Sequence, residues 1–192
     1  AARLPWAERA AWAFALGMGV VGWLAFWPPL AGWVAPLPFA LLAAAGLPGL
    51  ALLGAPPAGA GLSALSPWGR ALLVLVVLVM AGDLVEAWVP PTDADSLAYH
   101  FAIPRRVLLD GYLIFVPRAA DGAIPLLPQM TYLAALALGG ERAMTLWCAL
   151  SGWAMAALAF TTARRHLSPD WALVAAALVL TLPATLYGAG SG

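Results

Sequence analysis

The feature that most restricts the fold of this chain is a long stretch without any charged side chain. No Asp, Glu, Lys or Arg occurs from residue 10 through residue 69. A helix that crosses about 30 Å of hydrocarbon needs about 20 apolar residues, so the stretch has room for two crossings. We predict the first over about residues 10–27, ended by Pro28 and Pro29, and the second over about residues 32–54, bent by its prolines.

The composition of the whole chain supports a membrane protein. Hydrophobic residues make up 64% and charged residues 9%, with a mean hydropathy of +0.90. Soluble domains contain roughly 45–50% apolar and about 25% charged residues. The net charge is zero, which disfavours a nucleic-acid partner. The single cysteine, Cys148, lies in an apolar run and is expected to be a small buried hydrophobe.

The rest of the chain predicts three further crossings, over about residues 70–89, 141–165 and 170–190, after a linker at residues 55–69 that is rich in Pro, Gly and Ser. The expected fold is therefore an all-α integral membrane protein with about five transmembrane helices. Residues 1–69 form one unit of two helices and a linker, and residues 70–192 form a membrane core. The positive-inside rule favours an external loop at residues 90–142, but the bias is small, because this orientation places five arginines on the inside and four on the outside.

The loop between the third and fourth predicted crossings carries most of the charge. Residues 83–142 hold eleven of the eighteen charged residues, nine basic and nine acidic in all. A turn and an amphipathic helix are predicted at residues 90–111, with a kink at Pro104. A second helix, at about residues 125–138, is too short to cross, so both are expected to lie parallel to the membrane surface. The apolar side of the first helix is predicted to contain Leu97, Phe101, Val107 and Leu108.

Two acids, Asp83 and Glu86, fall in the last turns of the third predicted crossing. Acidic side chains at membrane depth are costly and indicate a functional site by default. The alternative is that both lie near enough to the interface to reach water or an arginine such as Arg105.

The residues with the richest chemistry are Asp93 and Asp95, followed by Tyr99 and His100 and then by Arg105 and Arg106. Two carboxylates in one turn can hold a divalent cation or accept a proton from a hydroxyl group. The guanidinium forks of the arginines match the oxygens of a phosphate. The alternative is structural, because an Asp at the start of a helix often caps it.

Several other kinds of site are disfavoured. Only His100 and His166 could ligate haem through imidazole, and no haem is expected. The CxxC, HExxH and GxGxxG patterns of metal, redox and dinucleotide sites are missing from the sequence. A transporter would be expected to show broken or polar helices at mid-membrane in matched halves.

The order of segments after residue 70 is distinctive. An apolar span is followed by the acidic turn TDADSLAYH, an amphipathic helix ending in LLDG, the proline-rich IPLLPQMTYLAALALGG, and ERAMTLW opening a span that ends in ARRH. This order resembles the multi-spanning, lipid-phosphate-dependent glycosyltransferases of the C-superfamily, which include the protein mannosyltransferases and the aminoarabinose transferases. In that family a catalytic acid precedes a Tyr in the first external loop, and two membrane-parallel helices follow.

The resemblance implies a transferase of the bacterial cytoplasmic (inner) membrane that uses a polyprenyl-phosphate sugar and an external acceptor. Asp95 would be the base or a metal ligand, with Asp93 as its helper. Tyr99, His100, Arg105, Arg106 and Gln129 would bind the substrates. Gln129, Tyr132 and Glu141 could line the same cavity, although the alternative is that they are solvated, as polar residues on amphipathic helices usually are.

The sequence also leaves the extent of the protein and its class of function open. The chain begins at Ala1 without Met and stops after an apolar segment, so we expect it to be part of a longer protein. The resemblance implies a second acidic site in the next external loop, which would lie beyond Gly192. The alternative to an enzyme is a non-catalytic transmembrane subunit or scaffold of a larger membrane complex. A transporter is a third option.

Overall fold

The computed structural model describes residues 4–55, 64–92, 94–113, 127–183 and 185, and these residues contain helices and no strand. The prediction of an all-α chain is therefore confirmed for the described part. The helices are α1 (Trp6–Leu30), α2 (Pro36–Leu53), α3 (Pro67–Ala87), α4 (Ala102–Asp110), α5 (Leu127–Ala163) and α6 (Pro169–Thr181), with a π-helical turn at Ser96–His100.

Four of these helices, α1, α2, α3 and α5, are long and apolar enough to cross a membrane. They correspond to the first four predicted crossings. Helix α6 is apolar but has only 13 residues, which span about 20 Å. It ends because Leu182 adopts an extended ψ of 132°, as expected for the residue before a proline. The predicted fifth crossing is thus not a continuous helix to residue 190, and residues 186–190 lie outside the described part.

Helix α1 extends further than predicted, because Pro28 and Pro29 lie in its last turn and it runs to Leu30. The sequence prediction ended it at Trp27. The chain leaves the helix at Gly32, whose φ of +70° is accessible to glycine at little cost. The proline pair therefore shapes the final turn and does not terminate the helix.

Helix α3 begins earlier than predicted, at Pro67. The Ser66 hydroxyl accepts a hydrogen bond from the Gly69 N–H at 3.2 Å, and proline occupies the first helical position, where its missing donor is not needed. Residues 67–69, predicted as linker, thus belong to the helix.

The predicted amphipathic helix at residues 90–111 is divided into the π-helical turn and α4. The division falls at Phe101, whose N–H donates to the Ser96 carbonyl at 3.0 Å. Pro104 is the third residue of α4, in the first turn, where the backbone N–H that proline lacks has no partner within the helix, so it does not kink a helix interior as predicted.

The apolar side predicted for this segment is only partly correct. Phe101 and Val107 are buried as expected, and Leu108 packs against the core. Leu97 is 51% exposed, and it belongs to the π-helical turn and not to α4.

Helix α5 consists of two parts separated by Gly140, which has φ 71° and ψ −165°. The first part, residues 127–139, corresponds to the second short helix predicted at residues 125–138, of which residues 125 and 126 lie outside the described part. Its buried Met130 and Leu133 form one core with residues of α1, α2 and α4. The second part, residues 141–163, packs against α1, α3 and α6.

The helices begin and end at two ends of the bundle, which we call the arginine end and the loop end. At the arginine end, Arg165 forms an ion pair with Glu8, and the Asp170 carboxylate accepts a hydrogen bond from the Ser66 N–H at 3.2 Å. Arg9, Arg70 and Arg164 belong to the same end. At the loop end, the Leu113 N–H donates to the Pro29 carbonyl at 2.9 Å and α4 covers the first part of α5.

Candidate functional site

Asp95, the predicted catalytic acid, lies at the loop end directly before the π-helical turn. It is exposed, and in the described part of the chain it makes no side-chain capping bond to that turn. The alternative in which Asp95 serves as a helix cap is therefore wrong. Asp93 lies outside the described residues. The Asp95 carboxylate is exposed at the surface of the described structure.

Tyr99 and His100 follow Asp95 within about one turn. Both are half-buried, and their ring centroids lie 4.1 Å apart. π-Helical turns are rare and occur frequently at functional sites. The turn places an acid, a phenol and an imidazole on one short segment.

Gln129 is joined to this segment from the first part of α5. Its Nε2 lies 3.2 Å from His100 Nδ1, to which the amide N–H donates in the tautomer that leaves Nδ1 unprotonated. The Gln129 side chain is 1% exposed, so the interpretation of it as a solvated polar residue is wrong. Its Oε1 is buried without a hydrogen-bond partner among the described residues. An unpaired buried amide oxygen is costly, so this atom is the least satisfied part of the contact between α5 and the π-helical turn.

The two predicted phosphate-binding arginines are each held by a carboxylate. Arg105 forms an ion pair with Glu141, at the start of the second part of α5. Arg106 lies on the outer side of α4, where its Nε donates to Asp110 at 2.9 Å. The hydrogen bond to Asp110 and that residue's negative charge raise the pKa of Arg106 above its usual value. Arg105 therefore faces the bundle, and Arg106 pairs within its own helix.

The start of the second part of α5 is tied firmly to α3. The Thr145 hydroxyl donates to the Ala87 carbonyl at 2.5 Å, and the Arg142 guanidinium lies 5.5 Å from the centre of the Trp88 ring. Cation–π contacts of this geometry are favourable even at exposed sites. Glu141 consequently projects toward α4 from a turn whose backbone is anchored.

Asp83 has a different partner from the one predicted. It is 3% exposed and accepts a hydrogen bond from Trp153 Nε1 at 3.1 Å. The expectation that it reaches water or Arg105 is wrong, because the described structure places Arg105 against Glu141. Glu86, one turn on, is exposed. Asp83 thus links α3 to the second part of α5 and is not brought to Asp95.

An apolar groove of about 500 Å³ runs between α1 and α5. Tyr132 lies in its wall and packs edge-to-face on Phe101, with ring centroids 5.5 Å apart. Cys148, buried as predicted, lies in the same wall. Other residues around the groove include Phe14, Met18, Ser151, Gly152, Met155 and Leu158. Tyr132 therefore connects the groove to Phe101, the residue that follows His100 in the chain.

The described residues contain no group of three or more His, Cys, Asp and Glu side chains able to hold a metal ion. Asp95 has no described carboxylate or imidazole cluster around it, so the described part of the chain does not form a complete divalent-cation site.

Comparison with protein-family models, curated proteins and solved structures finds no match to this chain. The resemblance to lipid-phosphate-dependent glycosyltransferases therefore stays a prediction from the order of the sequence segments.

Proposed function

We propose that this chain is the membrane-embedded part of an inverting glycosyltransferase, which moves a sugar from a polyprenyl-phosphate donor to an acceptor on the external face of the bacterial cytoplasmic membrane. The observation that carries the proposal is a set of contacts at the loop end, where α5 meets the π-helical turn and α4. Gln129 of α5 contacts His100 of the turn, and Glu141 of α5 pairs with Arg105 of α4. Phe101, next to His100, packs on Tyr132 in the wall of the apolar groove.

The proposed reaction assigns the base to Asp95. Its carboxylate accepts the proton of the acceptor hydroxyl as the acceptor oxygen attacks the anomeric carbon. The bond from that carbon to the phosphate oxygen breaks on the opposite face, and its electron pair leaves with the phosphate. Arg105 stabilises the charge that develops on the phosphate oxygens, because a guanidinium offers two parallel donors to them. The products are the inverted glycoside and the polyprenyl phosphate.

We assign sugar recognition to two polar side chains, His100 of the π-helical turn and Gln129 of α5. The Gln129 amide and the His100 imidazole supply donors and acceptors for sugar hydroxyl groups, and the unpaired Gln129 Oε1 is suited to accept from one of them. Tyr99, whose ring is tilted by 49° against that of His100, adds an aromatic surface. The groove between α1 and α5 accommodates part of the polyprenyl chain, whose burial there is favourable because its walls are apolar.

The experiment that tests this function is a transfer assay on the full-length protein. Asp95→Asn should abolish sugar transfer while the protein still inserts and folds. The matched control is Asp170→Asn, the same chemical change at the arginine end, where the retained amide oxygen still accepts from the Ser66 N–H. Normal transfer by the Asp95 variant would refute the assignment.

A second candidate function is a non-catalytic transmembrane subunit of a larger membrane complex. It is favoured by the ion pairs that occupy both predicted phosphate ligands, Arg105 and Arg106. This function predicts that Asp95 tolerates alanine and that the chain co-purifies with other subunits at fixed stoichiometry. Mass spectrometry of the purified protein separates the two, since only the transferase needs bound polyprenyl phosphate.

A further inference from the structure

The Arg105–Glu141 ion pair is the contact that crosses from α4 to the second part of α5 within the candidate site. A carboxylate and a phosphate present similar pairs of oxygens to a guanidinium. Glu141 therefore occupies the position on Arg105 that the phosphate of the proposed donor would need. The site in this state is filled by an anion that belongs to the chain itself.

The surroundings of Glu141 allow it to leave Arg105 without disturbing the fold. The Glu141 side chain is 49% exposed and that of Arg105 is 37% exposed, and ion pairs at this degree of exposure contribute little to stability. The neighbouring backbone is held to α3 through Thr145 and Arg142. Only a rotation of the Glu141 side chain into solvent is required.

The other ion pairs of the described chain do not have these properties. Arg106 pairs with Asp110 four residues along the same helix, so that pair joins no two elements. Glu8, the partner of Arg165, has a side chain that is only 2% exposed and lies at the opposite end of the bundle. Among the described pairs, the one with Glu141 combines accessibility with a place in the candidate site.

We propose that Glu141 is an internal competitor of the donor phosphate: it holds Arg105 in the empty site, gives it up when the lipid phosphate binds, and returns when the product leaves. The proposal rests on the proposed function. It implies that Glu141 weakens lipid-phosphate binding and thereby assists release of the polyprenyl phosphate product.

The test measures binding to the full-length protein in lipid nanodiscs by isothermal titration calorimetry. The probe is farnesyl phosphate, and farnesol is its uncharged counterpart. Glu141→Gln should bind farnesyl phosphate about two- to fivefold more tightly than wild type, the range that corresponds to losing a competing exposed ion pair. Farnesol binding should not change, and Asp170→Asn, with the same change in net charge, should bind both probes as wild type does.

A double variant makes the test specific to Arg105. In an Arg105→Ala background, adding Glu141→Gln should no longer tighten farnesyl phosphate binding. Glu141→Ala provides a second variant, and a melting curve for each protein establishes that it is folded.

The possible outcomes separate this role from the proposed function. If farnesyl phosphate binds neither to wild type nor to any variant, the proposed donor site and the proposed role of Glu141 both fail. If it binds wild type and Glu141→Gln equally, or if the gain persists without Arg105, the role of Glu141 alone is refuted.

Discussion

Replacing Gly22 with alanine should weaken the packing of α1 against α5. A Cβ at position 22 would lie 2.6 Å from the Leu127 carbonyl oxygen and 3.0 Å from Leu127 Cδ1. The first of these atoms belongs to the backbone, so a rotation of a side chain cannot relieve the clash. The two helices must move apart where α5 begins.

The size of the effect follows from two opposing contributions. Overpacking a tight contact costs about 1–3 kcal/mol, and the upper end applies where backbone must move. Alanine gains up to about 1 kcal/mol over glycine in a helix. The net loss at Gly22 is therefore about 2 kcal/mol in the free energy of unfolding, or roughly a thirtyfold change in the folded-to-unfolded ratio.

Gly19→Ala is the matched control on the same helix. No atom of the described residues lies within 4 Å of a Cβ placed there. This variant keeps the helix-propensity gain without the clash, so it should be as stable as wild type or up to about 1 kcal/mol more stable.

The measurement is unfolding of the purified protein in mixed micelles by titration with a denaturing detergent, followed by tryptophan fluorescence. Gly22→Ala should unfold at a lower detergent fraction than wild type, and Gly19→Ala should not. Because Gln129 lies two residues after Leu127, the proposed function predicts that Gly22→Ala also weakens binding of farnesyl phosphate. Equal stability of the two alanine variants would refute the close approach of α1 to α5.

Two further substitutions test contacts of α3. Thr145→Val removes the hydroxyl that donates to the Ala87 carbonyl and should cost about 1 kcal/mol of unfolding free energy, while the exposed Thr162→Val should cost little; equal melting temperatures of the two variants would contradict the contact. Trp153→Phe leaves the Asp83 carboxylate without its donor and should cost about 1–3 kcal/mol, measured by the same detergent titration. If adding Asp83→Leu to Trp153→Phe restores wild-type stability, the lost hydrogen bond is the cause of the destabilisation. If the double variant is as unstable as Trp153→Phe, the cause is lost packing of the indole ring.

Most of the helical framework could be predicted because its signals are local. The stretch free of charge after Arg9 indicated two apolar helices, and α1 and α2 lie there. Ser66 before Pro67 is a local start signal, although the sequence prediction placed it in the linker. The end of α1 was misplaced because a proline pair can lie in a final helical turn as well as stop a helix.

The candidate site could be predicted only in part. The acidic turn and the arginines were recognised because their residue types are unusual in so apolar a chain. The individual contacts could not be predicted. Gln129, assigned to the same site as His100, meets it across 29 residues of sequence, and Trp153 meets Asp83 across 70. No local pattern specifies such pairs.

The charge-free stretch thus determines the class of the protein by itself, because burying backbone polar groups in apolar surroundings leaves the helix as the available structure. The concentration of charged residues between residues 83 and 142 also predicted where a functional site would lie. Only the tertiary structure decided that Arg105 meets Glu141, that Gln129 is buried against His100, and that Asp83 turns to Trp153. Those pairings depend on how α3, α4 and α5 pack, and packing is set by the shapes of distant surfaces and not by neighbouring residues in the chain.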